Sequence, residues 1–248
     1  GTTRNNSVRA IEEFESFVRK ELNRTALRRM AVLRPLALIL DGWPTDAEGN
    51  PVVEYFEIVN NPENPDDGVR KVPFTGTLWI EQDDFRENPP RKYFRLSPGR
   101  EVRLRGANRG TAPEVVKAVG GAGGGVHASS DPQAGGGNAP DGRKVKSTMH
   151  WVSAAHAVEA EVRLYDRLFT AEVPGEATGE ALDDLNPASR ETLTGCKLEP
   201  AAAQTDPGEM IQFERLGYFA ADTEQPMLFH RTVGLRDEWA HIQKQQAK

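Results

Sequence analysis

Proline and glycine interrupt this chain at short intervals along most of its length. The 248 residues include 17 prolines and 23 glycines, and turn signals recur about every ten residues, a spacing typical of proteins built from many short strands. Because both residue types destabilise helix interiors, the same spacing disfavours long helices. An apolar content of 38% still allows a sizeable core. We therefore expect a mainly β protein with short antiparallel strands.

One α-helix is predicted, over residues 7–27, with Ser7 as its N-cap. Apolar residues recur there at spacings of three and four, with charged residues between them; they are Val8, Ile11, Phe14, Val18 and Leu22. No repeat with a period of 20–50 residues is present.

Strands are predicted where short apolar or alternating segments lie between turn signals. Residues 30–40 form such a segment, with a bulge or edge at Pro35. Residues 101–105 alternate, so Val102 and Leu104 are expected on one side of a strand and Arg103 and Arg105 on the other. Further strands are predicted within 77–80, 144–169, 211–219 and 227–235, with a hairpin over 115–128 and a surface loop at 130–142. A short helix or helical turn is predicted within 182–193.

Residues 86–109 form a cationic stripe. They hold eight Lys and Arg residues against two acids, a local charge of +6 in a chain whose total is −6. Tyr93 and Phe94 lie inside the stripe. Cations pair with phosphates and flat rings stack on unpaired bases, so this combination is typical of single-stranded RNA binding. The alternative is a solvated face, which is what most charge runs are.

Catalytic and metal-binding patterns are absent from the sequence. There is no GxxxxGK[ST] phosphate loop and no GxGxxG that opens a helix. The five histidines are scattered, so we expect no metal site. Acid pairs such as Asp83–Asp84 are interpreted as solvated turns or helix caps. The single cysteine, Cys196, is interpreted as a small buried residue; it favours a reducing, cytoplasmic location, and no apolar run is long enough for a membrane span. The residues thus indicate a binding module with no catalytic residues and no cofactor.

Six segments resemble the C-terminal half of bacterial glutaminyl-tRNA synthetases. The most specific is 143–169, which contains HWVSAAHA at 150–157 and EVRLYDRLF at 161–169, and the other five are 21–36, 60–74, 94–105, 212–219 and 231–240. The resemblance implies two antiparallel six-stranded β-barrels after a helical subdomain. Residues 1–25 would end that subdomain, 26–40 with 156–240 would form the proximal barrel, 41–155 the distal barrel, and 241–248 a tail.

The resemblance also implies that the chain binds the anticodon loop of the glutamine tRNA. Arg28 resembles the arginine that reads the central anticodon base, with Gln212 as its partner. Arg215 would hold the backbone of the loop. An amide can both donate to and accept from a uracil edge, and the arginine fork pairs with base edges or phosphate.

The other implied RNA contacts come from the cationic stripe. Arg95 resembles the arginine at the third anticodon base, and Arg105 the one at the first base, with Arg103 beside it. Lys92 and Phe94 are secondary candidates. Phe94 is expected either to stack on a base or to face the core.

Two class I catalytic signatures, the HIGH-like tetrad and the KMSKS loop, are missing. The resemblance therefore implies that an ATP-using catalytic domain lies upstream of Gly1 in a parent glutamine–tRNA ligase, and that this chain alone is a non-catalytic monomer. The alternatives are the corresponding part of a related glutamyl-tRNA synthetase and a β-barrel interaction module without RNA. The RNA hypothesis requires Arg28, Arg95, Arg105 and Arg215 to converge on one concavity.

Overall fold

A computed structural model describes residues 11–106, 115–122, 124–130 and 147–236 of the chain. This part holds the helix α1, Ile11–Thr25, and sixteen strands. The strands are β1 Leu27–Arg29, β2 Ala31–Val32, β3 Pro35–Leu40, β4 Glu54–Val59, β5 Val69–Phe74, β6 Thr77–Glu81, β7 Glu101–Leu104, β8 Val115–Ala122, β9 Gly125–Ser130, β10 Thr148–Met149, β11 Val152–Ser153, β12 Val158–Tyr165, β13 Arg190–Leu198, β14 Met210–Phe213, β15 Gly217–Ala221 and β16 Leu228–Val233. The predicted N-cap Ser7, the stripe residue Arg109 and nearly all of the predicted loop at 130–142 lie outside the described residues.

The first sheet closes on itself through a single buried residue. Its strand order is β1-β14-β15-β16-β12-β13-β2, so β1 and β2 are its two ends. Only Met30, which is fully buried, separates these two strands along the chain. The sheet must therefore curl until its ends meet, and the result is a barrel around a core that includes Phe213, Phe219 and Phe229.

The second sheet closes in the same way. Its order is β10-β7-β8-β9-β3-β6-β11, and only His150 and Trp151 separate its two end strands along the chain. Trp151 is fully buried and meets the ring of Phe74 edge-on, with 4.8 Å between ring centroids. If β1 and β2 are counted as one strand interrupted at Met30, the first barrel has six strands. The second barrel also has six if β10 and β11 are counted as one strand interrupted at His150 and Trp151. The prediction of two β-barrels after an N-terminal helix is confirmed.

A hairpin of β4 and β5 covers the core of the second barrel. Phe56, Ile58, Val72 and Phe74 of this hairpin are buried and belong to the same cluster as Trp151. The hairpin is a separate two-stranded sheet. It therefore buries one face against the second barrel and leaves side chains of the other face available for other contacts.

Strand pairing differs from the predicted grouping at β3. Residues 26–40 were predicted together in the first barrel, but β3 pairs with β6 and β9 in the second. The chain crosses between barrels at Leu33 and Arg34, whose backbone N–H groups donate to the two oxygens of Glu81 at 2.7 and 3.1 Å. A side chain thus replaces the strand partners that these groups would otherwise need. The bounds of the predicted domains stay a prediction.

The apolar side chains in the first turns of helix α1 are exposed, and apolar burial begins towards its C-terminal end. Leu22 is buried against Tyr218 and Val233 of the first barrel, whereas Ile11 and Phe14, predicted on the same apolar face, are 55% and 65% exposed. Among the described residues, no helix is long and apolar enough to cross a membrane.

Candidate nucleic-acid interface

One buried carboxylate joins arginines from the two barrels. Asp84 ends a short 3-10 helix that follows β6, and it has no exposed surface. Arg215, from the turn between β14 and β15, donates from Nη1 and Nη2 to its Oδ2 and Oδ1 at 2.7 and 2.8 Å. Arg95 Nη1 lies 3.2 Å from Oδ1. We call this arrangement of Asp84, Arg95 and Arg215 the Asp84 clamp.

The backbone of the β14–β15 turn aims Arg215 at the clamp. Arg215 has a φ of +68°, the left-handed region that side-chain-bearing residues rarely adopt. Burial by itself lowers the pKa of Arg215, but the hydrogen bonds and charge of Asp84 outweigh it and the pKa is raised. Arg215 Nη1 also lies 3.1 Å from Nδ1 of His150. Since a guanidinium can only donate, that ring nitrogen is the acceptor.

A second set of ion pairs crosses between the barrels beside the Asp84 clamp. We call the boundary formed by Asp84, Arg95, Arg105, Glu214 and Arg215 the seam. Arg105 Nε donates to Glu214 Oε2 at 2.7 Å, and Arg70 Nη2 donates to Glu214 Oε1 at 3.4 Å. Arg70, on the hairpin, also binds both oxygens of Glu199, which is 1% exposed. Burial raises the pKa of Glu199, against the lowering effect of Arg70. These contacts link the hairpin, Glu214 of the first barrel and Arg105 of the second.

Three of the four arginines required by the RNA hypothesis therefore share one place. Arg95 and Arg215 share Asp84, and Arg105 is bonded to Glu214, the residue next to Arg215. The side chains of Arg95, Arg215 and Arg105 are 44%, 31% and 49% exposed, respectively, so a part of each faces solvent. A fixed guanidinium with free N–H groups is suited to phosphate or a base edge.

Arg28 is the fourth, and it points inward. It is 4% exposed, and its guanidinium donates to the backbone oxygens of Ala26 and Asn23 at 2.6 and 2.7 Å and to Asn61 Oδ1 at 2.9 Å. Its predicted partner Gln212 stands directly opposite in the β1–β14 register and is half-buried. The structure brings the predicted pair together, but it uses Arg28 to tie the end of α1 to the loop after β4. Its contact with a base stays a prediction.

The remaining stripe residues divide between surface and core. Val102 and Leu104 are buried and Arg103 is half-buried, so the predicted alternation of β7 is confirmed. Lys92 is exposed. Phe94 is 58% exposed, so of its two expected positions the structure leaves the one at the surface.

The neighbouring ring of the stripe, Tyr93, is partly buried. Its hydroxyl donates to the backbone oxygen of Asp83 at 2.9 Å, and the Arg86 guanidinium lies 5.8 Å from its ring centroid. The pKa of Tyr93 is raised, mainly by burial and then by the charge of Asp84.

Sequence reasoning missed the carboxylates that hold the interface. The Asp83–Asp84 pair was interpreted as a solvated turn or cap, which is wrong for Asp84 because it is fully buried. Glu199 and Glu214 carried no signal either, since their partners lie more than 100 positions away along the chain. Among the described residues, no group of three or more potential ligands could hold a metal ion.

Two family models match the chain over most of the described residues. Both are described as anticodon-binding domains of class I tRNA synthetases (E and Q), and they match residues 26–129 and 148–222. Relatives named glutamine–tRNA ligase include those of Nitrobacter winogradskyi, 49% identical over 98% of this chain and 43% of the relative, and Pseudomonas putida, 46% identical over 96% of this chain and 42% of the relative. The chain thus spans less than half the length of these relatives.

Proposed function

Since the chain belongs to the anticodon-binding domains of the class I tRNA synthetases for glutamate and glutamine, we propose that it binds the anticodon loop of a glutamine tRNA. The relatives compared above are named glutamine–tRNA ligases, which favours the glutamine tRNA over the glutamate tRNA. The barrel topology and the seam are the structural basis of this proposal.

The observation that carries the proposal is the convergence of arginines at the seam. Arg95 and Arg105 come from the second barrel and Arg215 from the first, and two buried acids, Asp84 and Glu214, hold them. A solvated face would not need buried carboxylates to fix its arginines. Fixed guanidiniums bind RNA at a lower entropic cost than mobile ones, because their orientation is set before the RNA arrives.

The chemistry of the seam suits unpaired nucleotides. Arg95 and Arg105 offer N–H groups to base edges or phosphates, and Gln212 of β14 offers a half-buried amide. Phe94 is exposed within the cationic stripe and presents a ring on which a base can stack. Bases splayed out of a loop expose the edges and faces that such groups contact.

The activity of the parent protein is part of the proposal. Because the chain spans about 43% of its relatives, we propose that a further part of the parent carries glutamine activation with ATP. The seam would then select the tRNA that this part charges. A cytoplasmic location and a monomeric state belong to the same proposal.

The test is binding of the purified chain to anticodon stem-loops, measured by fluorescence anisotropy. The glutamine anticodon and single-base variants of it form the panel. Arg95→Gln should weaken binding of the cognate loop by about 1–3 kcal/mol and reduce the discrimination against changes at one base. The matched control is Arg91→Gln, which removes the same charge from an exposed residue of the same stripe and should weaken all loops equally. Equal binding of cognate and variant loops by the unchanged chain would overturn the proposal.

A further inference from the structure

A second arginine-rich surface lies next to the seam, on the first barrel. It is a pocket of about 400 Å³ between α1, the end of β12, the β14–β15 turn and the end of β16. Four arginines and one aromatic residue line it, namely Arg19, Arg215, Arg231, Arg236 and Tyr165. None of the stripe residues that the structure describes contributes to it.

The pocket has a surplus of positive charge. Its four arginines face two acids, Glu15 and Asp166, in a chain whose total charge is −6. Arg215 is already paired with Asp84. Arg231 and Arg236 are exposed, and neither forms an ion pair with another residue of the described ranges. The uncompensated charge therefore belongs to these two.

Two glycines allow close approaches at the rim, of the Arg231 guanidinium to the backbone at Gly234 and of the Val233 carbonyl to the backbone at Gly217. A Cβ on Gly234 would stand 3.1 Å from Arg231 Nη2, and one on Gly217 would stand 3.0 Å from the backbone oxygen of Val233. Arg19, which is 8% exposed, donates from Nε to the Gly234 oxygen at 2.7 Å and so fixes this part of the chain from below. The rim is held by the fold and does not depend on a ligand.

Tyr165 provides a flat apolar wall at the same pocket. It is 45% exposed, and its ring is stacked on His230 with 5.9 Å between centroids and 18° between planes. The two side chains are also hydrogen-bonded at 2.6 Å between the Tyr165 hydroxyl and His230 Nδ1. A ring held in place and half open to solvent is a platform for a base.

We propose that this pocket binds a phosphodiester of the RNA strand that continues from the anticodon seam, through Arg231 and Arg236, with the adjoining base on Tyr165. The inference rests on the proposed function. Arg215 borders both the Asp84 clamp and the pocket, so a strand bound at the seam can pass directly into it. This continuity favours an RNA strand over a free nucleotide.

The experiment compares two double variants of the full chain. Arg231→Gln/Arg236→Gln removes two charges from the pocket. Arg24→Gln/Arg34→Gln is the matched control, since both residues are exposed and paired with surface acids outside the pocket. Anisotropy titrations with the cognate stem-loop, an anticodon-swapped stem-loop and uridine monophosphate are made between about 50 and 200 mM salt, the range in which phosphate contacts dominate. Urea midpoints of both variants confirm that they are folded.

The expected result is specific to phosphate contacts. The pocket variant should bind both stem-loops about tenfold more weakly at low salt, keep the ratio between them, and lower the slope of log affinity against log salt by roughly 0.7–0.9 for each lost contact. Tyr165→Leu should weaken both loops while Tyr165→Phe, which keeps the ring, should not. Uridine monophosphate should bind at least a hundredfold more weakly than the stem-loops.

Three outcomes would overturn the inference. If the pocket variant matches its control while the unchanged chain still discriminates between anticodons, this inference fails and the proposed function stands. If the unchanged chain binds no RNA, both fail. If uridine monophosphate binds as tightly as the stem-loops and loses its affinity in the pocket variant, the pocket is a nucleotide site and not part of an RNA path.

Discussion

Replacement of Asp84 by asparagine should destabilise the protein through the seam. Breaking a buried ion pair by removing one partner costs about 3–5 kcal/mol, because the remaining charge is left without compensation. Asp84 has no exposed surface, but Arg215 is 31% exposed and can recover part of its hydration. We therefore expect Asp84→Asn to lower the free energy of unfolding by about 2–3 kcal/mol, below the range for full burial.

The assay is urea denaturation at neutral pH, with Glu191→Gln as the control. The Arg34–Glu191 pair has the same 2.7 Å N–O distance as the Asp84–Arg215 pair, but its side chains are 44% and 52% exposed. Loss of an exposed pair should cost at most about 1 kcal/mol. A double-mutant cycle of Asp84→Asn with Arg215→Gln should show a coupling of roughly 1–3 kcal/mol. If Asp84→Asn lowers the free energy of unfolding no more than the control does, burial of the carboxylate does not explain the stability that the clamp provides.

The remaining predictions concern closure, reactivity and pH. Trp151→Ala should cost about 3–5 kcal/mol in thermal denaturation, since it empties the point where the second barrel closes; a loss below about 1 kcal/mol would contradict that role. Burial raises the pKa of the Cys196 thiol to about 11, so the folded protein should react with a disulfide reagent at pH 8 only as fast as it unfolds, and immediate stoichiometric reaction would show an accessible thiolate. The backbone N–H of Gln225 and then the His230 side chain lower the pKa of Asp222 from 3.8 to about 2. The stability that this carboxylate provides is thus present above pH 3.8 and lost as the pH falls towards 2, so the stability difference between the unchanged chain and Asp222→Asn should shrink over that interval.

The sequence was sufficient for features that depend on local order. Alternation predicted that Val102 and Leu104 face the core, and the structure confirms it. The turn signals predicted short strands, and the apolar spacing predicted the helix, although Ile11 and Phe14 turned out to be exposed. Burial of a helix face requires a neighbour, and periodicity cannot say whether a neighbour covers the whole length.

Only part of the candidate site could be predicted from the sequence. The arginines of the stripe could be found because Lys and Arg are dense over a short range, and a family resemblance pointed to Arg28, Gln212 and Arg215. No local sequence pattern distinguished Asp84 from its exposed neighbour Asp83. Nor did any pattern predict that Arg28 would donate its hydrogen bonds to Ala26, Asn23 and Asn61.

The sequence by itself determined which segments form short strands, where the cationic stripe lies and to which family the chain belongs. Only the tertiary structure decided which charges act together. In the folded chain the 3-10 helix after β6 lies against the β14–β15 turn, so Asp84 meets Arg215 across 131 positions of the chain. Once that carboxylate is buried it must be paired, because an unpaired charge in the interior is too unfavourable to persist. This requirement fixes Arg95 and Arg215 at the seam and turns a charge pattern into a binding surface.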